Sequence, residues 1–455
     1  MLQMPKKKNI LADNPVRTIC LSFISVIMFG AIILFLPISS KSEVTPSFFE
    51  CLFTATSATC VAGLSLNDTF HTWSIFGQSV IMCLIQVGGL GLITFSSVFS
   101  LSLNKKLSLK SMRLANSQIN TNDFANISSL FVNVIRVTLL CECIGAAFLS
   151  IVFCKKFGLQ GIFIAIFSSV SSYCNSGLDT NGFISPSCSF IPFRNDIVVV
   201  TTLSILTVLG GIGFVVINDL LQLIKSRKKI KFLSFHSKLA IFSTLILIVV
   251  GTLAILIMEW SNTLADMSLP EKLSASAFSS ITARSAGFSV IDYSQTTTFT
   301  KLFTSFLMFI GASPCGTGGG IKTTTMVILI MTTICVIKNC EDTTIFKRKI
   351  NKNTVYKAIS LLFMSLLLIT IATIIFYVTN TNIKLIDLFF TIISAFGTVG
   401  VSTINVQDLS QISKCILIFL MYIGRVGPLS FALMFGTSSK PKKHVSLPEG
   451  KTYVG

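Results

Sequence analysis

Charge is what this chain has least of. Only 12% of its 455 residues are charged, against about 25% in a soluble globular domain. Histidine is nearly absent (His71, His236 and His444), and none of the thirteen cysteines forms a CxxC pair. That removes the usual zinc sets and a thioredoxin-like motif. Cys51, Cys83, Cys141, Cys143, Cys335 and Cys415 lie in or beside apolar runs and read as small buried hydrophobes. There is no HExxH, no GxSxG and no pair of aspartates on apolar runs, so the familiar intramembrane enzymes find no support. The basic start MLQMPKKKNILADNPVR leads into an apolar run without a small-residue cleavage site. That run is too long for a signal-peptide core and reads as a retained spanning helix.

What fills the space is hydrophobic. Apolar residues make up 52% of the chain and mean hydropathy is +0.79, the composition of an all-α polytopic membrane protein. The net charge of +18 would suggest nucleic acid in a soluble protein. Here 24 of the 36 basic residues sit in five clusters between apolar runs, at Lys6–Arg17, Lys105–Arg113, Lys225–Lys238, Lys338–Lys357 and Lys440–Lys451. The positive-inside rule places those clusters on the cytoplasmic side. Both termini are then cytoplasmic, and each stretch between clusters crosses the membrane an even number of times.

Between clusters the same order recurs: a span, an apolar segment of half that length, a glycine loop, and a returning span. The first unit (1–118) carries spans at Val16–Pro37 and Trp73–Leu101 around a half-helix at Ser47–Ala58. In the second (119–232) the spans are Phe131–Phe153 and Asp196–Ile224, with the half-helix at Gly161–Ser172. The third (233–348) has Leu239–Met258, Ser268–Thr282 and Thr300–Val336; the fourth (349–438) has Tyr356–Val378, Lys384–Ala395 and Lys414–Phe435. A cytoplasmic tail (439–455) follows. The loop glycines Gly63, Gly177, Gly287 and Gly400 are separated by 114, 110 and 113 residues. Periodicity of this kind marks an internal repeat. A re-entrant loop survives at membrane depth only where its backbone is buried or faces water. Four helix–pore loop–helix units therefore suggest a pseudo-fourfold ring around one pore, with eight spanning helices.

The last loop reads Phe396-Gly397-Thr398-Val399-Gly400. Thr-Val-Gly opens the filter sequence of potassium channels, where backbone carbonyls replace an ion's hydration shell. The candidate filter residues are Thr59, Cys60, Val61, Ala62 and Gly63; Tyr173, Cys174, Asn175, Ser176 and Gly177; Ala283, Arg284, Ser285, Ala286 and Gly287; and Gly397, Thr398, Val399 and Gly400. Glycine tolerates positive φ, so it lets the backbone turn a carbonyl inward. The side chains just before it differ, so coordination falls to the backbone. The plainer alternative is four ordinary turn glycines between helices. Asp68, Asp179 and Asp292 follow three of the loops closely and are expected to concentrate cations at the outer mouth; each could equally be a loop-capping aspartate.

A second repeated register lies in the returning spans, at Gly88-Gly89-Leu90-Gly91, Gly210-Gly211-Ile212-Gly213, Gly319-Gly320-Ile321-Lys322 and Gly424-Arg425-Val426-Gly427. Small residues let helices pack closely. The third span is also interrupted by Gly311-Ala312-Ser313-Pro314-Cys315-Gly316-Thr317-Gly318-Gly319-Gly320, too rich in Gly and Pro for a continuous helix. A phosphate loop needs Gly-Lys-Ser/Thr in sequence, but Ile321 separates Gly320 from Lys322. We read the segment as a plug below the filter, against the plainer reading of a packing kink. Lys322 and Arg425 add charge to that gate. Arg425, near mid-span, would repel cations or hold the plug by hydrogen bonds to its carbonyls; Lys322 is close enough to the cytoplasmic end to snorkel.

The segments TATSATCVAGLSLNDT, SSYCNSGLDT, ITARSAGFSV and SAFGTVGVST resemble the four pore loops of the Trk/Ktr/HKT potassium-transporter superfamily. GASPCGTGGGIKTTT is similar to its intramembrane gating loop, and YIGRVGPLSFAL to its last inner helix. Chain length, eight spans and the ending LPEGKTYVG favour a KtrB-type membrane subunit. The resemblance implies potassium (K+) uptake by a homodimer in the cell membrane with one pore per protomer, with sodium (Na+) as an activator. It also implies gating by a cytosolic KtrA-type nucleotide-binding regulatory ring, with ATP or ADP bound on that ring. Gly63, where sodium-selective plant relatives carry serine, favours potassium. The chain departs from the family pattern at Ala62, where threonine is common, and at Cys315-Gly316, where Gly-Ser is usual. A cation-coupled secondary transporter of another substrate is the competing class, since discontinuous helices suit it too; those folds usually show two large repeats rather than four.

Overall fold

The computed structural model describes residues 15–41, 45–91, 127–186, 188–227 and 232–435. The basic cluster at Lys105–Arg113, the C-terminal cluster and tail, and Lys6–Lys8 lie outside them. Sixteen helices are described: α1 (Pro15–Leu34), α2 (Phe48–Cys60), α3 (Thr69–Thr72), α4 (Ile75–Leu90), α5 (Ile127–Phe157), α6 (Gln160–Tyr173), α7 (Ile197–Gly211), α8 (Phe214–Lys225), α9 (Phe235–Glu259), α10 (Leu269–Thr282), α11 (Thr298–Phe309), α12 (Thr323–Ile337), α13 (Lys352–Thr379), α14 (Leu385–Gly397), α15 (Gln411–Val426) and α16 (Pro428–Phe435). The described residues are all-α, apart from one short hairpin.

Among the described residues four helices are long and apolar enough on their own to cross a membrane: Val16–Leu34, Val132–Phe157, Phe235–Glu259 and Lys352–Thr379. At 1.5 Å per residue, the 25 residues of α9 reach about 38 Å, beyond the roughly 30 Å hydrocarbon core. Their outward faces are apolar and exposed, as at Phe29, Ile257 and Phe363. That is a lipid-facing surface, because no soluble helix would leave such stripes in water.

The half-helices are short and buried. The 13 or 14 residues of α2, α6, α10 and α14 span about 20 Å, too little to cross. Serine caps start two of them. Ser47 Oγ accepts the Glu50 N–H at 3.3 Å while Glu50 Oε2 accepts the Ser47 N–H at 2.8 Å, and Ser268 with Glu271 repeats the reciprocal box.

Each long helix packs on the half-helix that follows it: α1 on α2, α5 on α6, α9 on α10, α13 on α14. Each returning helix packs on the half-helix of the next unit: α4 on α6, α7 on α10, α11 on α14, and α15 back onto α2. The contacts close in a cycle with the half-helices inside.

The returning segments differ from the straight spans expected. None of the four runs unbroken through the described residues. α4 stops at Gly91, with φ 82°, and the remainder of Trp73–Leu101 lies outside the described residues. α7 and α8 bend by 100°, and α15 and α16 by 95°, at Gly213 (φ 100°) and Gly427 (φ 92°). Only glycine takes that conformation cheaply, so these glycines break helices as well as pack them. The third segment is interrupted from Ile310 to Lys322, where a break was expected.

Buried polar ties hold helix ends together. Glu259, at the end of α9, accepts Thr300 Oγ1 at 2.5 Å, the Thr297 N–H at 2.9 Å, Asn262 Nδ2 at 2.8 Å and Thr263 Oγ1 at 2.9 Å. Lys301 pairs with Asp387 at 2.8 Å across α11 and α14. Between α12 and α13 a hairpin pairs Thr344 with Lys349 and Ile345 with Arg348. Its two turn residues, Phe346 and Lys347, both have positive φ, the geometry that fits the twist of paired strands.

Candidate functional site

The four half-helices end on one backbone pattern. In the first loop Val61 is left-handed (φ 57°), its N–H reaches the Ala58 carbonyl, and the Ala62 N–H reaches back to Ser57 O at 2.8 Å. This is a Schellman closure. It recurs with Asn175 (φ 59°) and Ser176 N–H to Ser171 O at 2.8 Å. It recurs again with Thr398 (φ 50°) and Val399 N–H to Ser394 O at 2.9 Å. The third loop departs: Ser285 has φ 94°, and Ala286 and Gly287 both bond Thr282 O. In all four loops the residue two before the glycine has positive φ, and so does the glycine itself, at 75°, 78°, 78° and 103°.

The four glycines meet. The Cβ position of Gly400 lies 2.7 Å from Gly63 Cα and 2.8 Å from Ala62 O. That of Gly63 lies 2.5 Å from Ser176 O, that of Gly177 lies 2.7 Å from Ala286 O, and that of Gly287 abuts Val399 O. Four carbonyls, each from the residue before a glycine, therefore crowd one small volume. A side chain on any of the glycines would fill it. The half-helices point their C-terminal, partially negative ends at this centre, which favours a cation.

The other predicted filter residues take two kinds of place. Thr59 O and Tyr173 O lie against the backbone of Gly88 and Gly210, as Phe396 O does against Gly424. Gly397 likewise packs on Met308 O. Cys60, Cys174, Ala283 and Arg284 are buried behind the ring; Arg284 donates through Nη1 to the Thr244 carbonyl at 3.3 Å.

Outside the ring opens a cavity of about 590 Å³, bordered by Gly63, Gly177, Gly287 and Gly400 together with Asp68, Asp179 and Asp292. Asp408, farther from its loop, is not among the lining residues. Asp68 also caps α3, accepting the Phe70 N–H at 2.9 Å; capping and a place in the cavity wall coexist. Burial, with the Asp68 charge adding to it, pushes the Asp179 carboxyl up to about 6.

Inside the ring sits the interrupted segment. Ile310 and Ile321 form a parallel bridge that pinches its two ends together. Its apex is stitched to the α7–α8 bend: Ser313 N–H to Gly211 O at 3.0 Å, Thr317 N–H to Gly210 O at 3.2 Å, and Phe214 N–H to Cys315 O at 3.0 Å. It also reaches the loops that end the half-helices α6, α10 and α14. The Gly319 N–H donates to Thr398 Oγ1 at 2.8 Å and Ser285 Oγ at 3.1 Å, and Thr317 Oγ1 donates to Tyr173 O at 3.3 Å. Gly311 and Gly318 have no room for a Cβ, against Gly319 O and Ser285 Oγ, while Ala312 is fully buried. Pro314 and Gly316 are half-buried near the bend, and Gly320 turns the chain with φ 70°. Lys322 Nζ donates to Gly318 O at 2.6 Å, so it folds back on the loop rather than reaching the surface.

Arg425 is the clasp. Its guanidinium donates to Thr317 O on the loop and to Gly88 O and Gly89 O at the end of α4. Sequence reasoning missed two features. One is the left-handed non-glycine residue two positions before each loop glycine. The other is Glu142 with Gln86, which lie directly behind Cys174.

With this geometry in hand, likeness to known proteins is specific. The family model described as TrkH, cation transport protein, matches residues 6–444. The Ktr system potassium uptake protein B of Bacillus subtilis (strain 168) is 33% identical over 458 residues, 100% of both chains. The potassium/sodium uptake protein NtpJ of Enterococcus hirae is 34% identical over 449 residues, 97% of both. In fold, the chain is similar to the crystal structure of the potassium transporter TrkH from Vibrio parahaemolyticus. The TM-score is 0.76 at 13% identity, over 95% of this chain and 87% of that one.

Proposed function

The chain belongs to the TrkH family of cation transport proteins, and from that premise we propose that it is the potassium-translocating membrane subunit of a Ktr-type uptake system. One observation carries this reading: four loop glycines and the carbonyls of Ala62, Ser176, Ala286 and Val399 crowd one point beneath an acid-lined cavity. Carbonyls so placed substitute for the water of a dehydrated cation. The cyclic packing of half-helices and returning helices supports a pseudo-fourfold arrangement of the four units around that point. Relatives named for potassium uptake and for potassium/sodium uptake are transporters rather than enzymes, and their names support potassium as the ion carried and sodium as an activator.

The segment Gly311–Gly320, with Lys322 and Arg425, is the gate of this reading. It lies directly under the filter loops and is held there by hydrogen bonds from Thr317, Gly319 and Arg425. A cytosolic nucleotide-binding ring of the KtrA type works it from the basic side, with ATP or ADP bound on that ring, and two copies of this chain form the membrane unit with both termini cytoplasmic.

The test is rubidium uptake in a cell lacking its own potassium uptake. Gly63→Asp and Gly400→Asp should each abolish it. Uptake at the wild-type rate in both would refute the filter assignment.

A further inference from the structure

Behind the second filter loop lies a polar triad at membrane depth. Glu142 of α5 is only 5% exposed. Its Oε2 accepts Gln86 Nε2 of α4 at 3.2 Å, and Cys174 Sγ is directed at Gln86 Oε1 (3.5 Å) and Glu142 Oε1 (3.9 Å). The Glu142 carbonyl accepts Ser169 Oγ of the half-helix α6 at 2.7 Å. None of the ion pairs among the described residues includes Glu142. A carboxyl at this depth is costly and is retained where it acts.

The triad closes a circuit. Gln86 stands on the same helix end as Gly88 and Gly89, whose carbonyls receive Arg425. Arg425 holds Thr317 of the gate loop, and Thr317 donates to Tyr173 O, one residue before Cys174. Gly89 leaves no slack, since a Cβ there would lie 2.7 Å from Cys174 Sγ. Cys174 in turn precedes left-handed Asn175, whose conformation sets where the Ser176 carbonyl points.

From this geometry we infer that Glu142 is a positioning residue for the second filter loop. Through Gln86 and Cys174 it fixes the Ser176 carbonyl and ties it to the gate contact at Thr317. The matched positions of the other loops are built differently: Cys60 in the first, Arg284 on the Thr244 carbonyl in the third, and Gly397, without a side chain, in the fourth, while the third and fourth loops are tied to Gly319 through Ser285 and Thr398. The inference rests on the filter reading of the preceding subsection.

The experiment uses the full chain in liposomes and reads two quantities: rubidium flux, and the preference for potassium over sodium as competitors of that flux. Glu142→Leu leaves the Gln86 amide without its acceptor and the Cys174 thiol with Gln86 Oε1 alone. It should lower the potassium preference about fivefold or more, or abolish flux in folded protein. Glu142→Gln keeps an acceptor at the same place and should restore the preference to within about twofold of wild type. Wild-type preference in Glu142→Leu, or Glu142→Gln as impaired as Glu142→Leu, overturns the proposal. If Glu142→Leu does not fold, Cys174→Ala carries the same expectation and the same refutation. Gly177→Asp separates the two readings. Flux surviving it defeats the filter assignment; flux lost in it, with wild-type preference in Glu142→Leu, defeats this inference alone.

Discussion

Replacing Arg425 with glutamine should open the gate. The guanidinium makes one bond to the loop, at Thr317 O, and two to α4, at Gly88 O and Gly89 O. Withdrawing the loop breaks the first and leaves the other two in place. A hydrogen bond to a charged group contributes about 1.5–3 kcal/mol net, and each 1.4 kcal/mol is about tenfold in an equilibrium constant. A gate that is rarely open should therefore open roughly ten- to hundredfold more often in Arg425→Gln. Losing a positive charge from the ion path works in the same direction. Rubidium flux into liposomes without any regulator measures the gain. Arg425→Lys separates the two causes, because an ammonium keeps the charge but cannot reach three carbonyls in a planar fork. If the clasp dominates, Arg425→Lys also conducts more than wild type. Flux in folded Arg425→Gln at or below the wild-type rate would refute the clasp.

Three further outcomes follow from the same geometry. Deleting residues 313–318 removes the contacts with Gly210, Gly211, Tyr173 and Arg425 and should raise flux in the same assay; unchanged flux would leave the segment a packing kink. The Asp179 carboxyl, outside the membrane-spanning segments and pushed up to about 6, is protonated below that pH and charged above it. Raising the external pH from 5 to 7.5 should thus add a negative charge to the cavity wall and increase uptake at low rubidium about twofold, since a unit charge at about 10 Å in water is worth about 0.4 kcal/mol. Asp179→Asn should flatten that pH dependence, and a profile as steep as wild type's would remove Asp179 from the account. Glu259→Ala strands the Thr297 N–H and the Thr300 hydroxyl inside the protein and should destabilise by about 2–4 kcal/mol, seen as a lower melting temperature in detergent; an unchanged midpoint would show those donors satisfied elsewhere.

Much of this was legible in the sequence, for a physical reason. Spans must be long and apolar, basic loops must stay inside, and a loop that turns its backbone inward needs glycine. Those constraints act locally, so Gly63, Gly177, Gly287 and Gly400 and the interruption at Gly311–Gly320 could be found one segment at a time. Two kinds of feature were not legible. Glu142 gains its place from Gln86 and Cys174, which are 56 and 32 residues away, and Glu259 from Thr297 and Thr300 across a whole half-helix unit. No local pattern encodes such partners. The bend at Gly213 was visible as a small residue but read as packing, because packing and breaking ask for the same residue type.

The left-handed residues of the filter loops carry the deeper lesson. Val61 and Thr398 are β-branched, and at positive φ such residues are outliers costing on the order of 1–3 kcal/mol. Propensity would put glycine or asparagine there, as Asn175 alone does. A strained conformation persists only where its surroundings over-determine it, and here they do. Val61 is wholly buried and closed by the bonds to Ala58 and Ser57, and Thr398 is fixed by Ser285 from one side and Gly319 from the other. Glycine at these positions would relax the backbone and free the carbonyl that follows. A β-branched side chain limits its own residue to few conformations, so Val61 and Thr398 stiffen the first and fourth loops; Ser285 of the third is held instead by its bonds to Thr398 and Gly319. The second loop is the converse case: its left-handed residue is the permissive Asn175, and rigidity comes from behind, through Cys174, Gln86 and Glu142. The ring is thus held by two different means. The second loop meets the interrupted segment through Thr317 and Tyr173, and the third and fourth meet it through Ser285, Thr398 and Gly319; what sets the second apart is the buried carboxyl of Glu142 behind it.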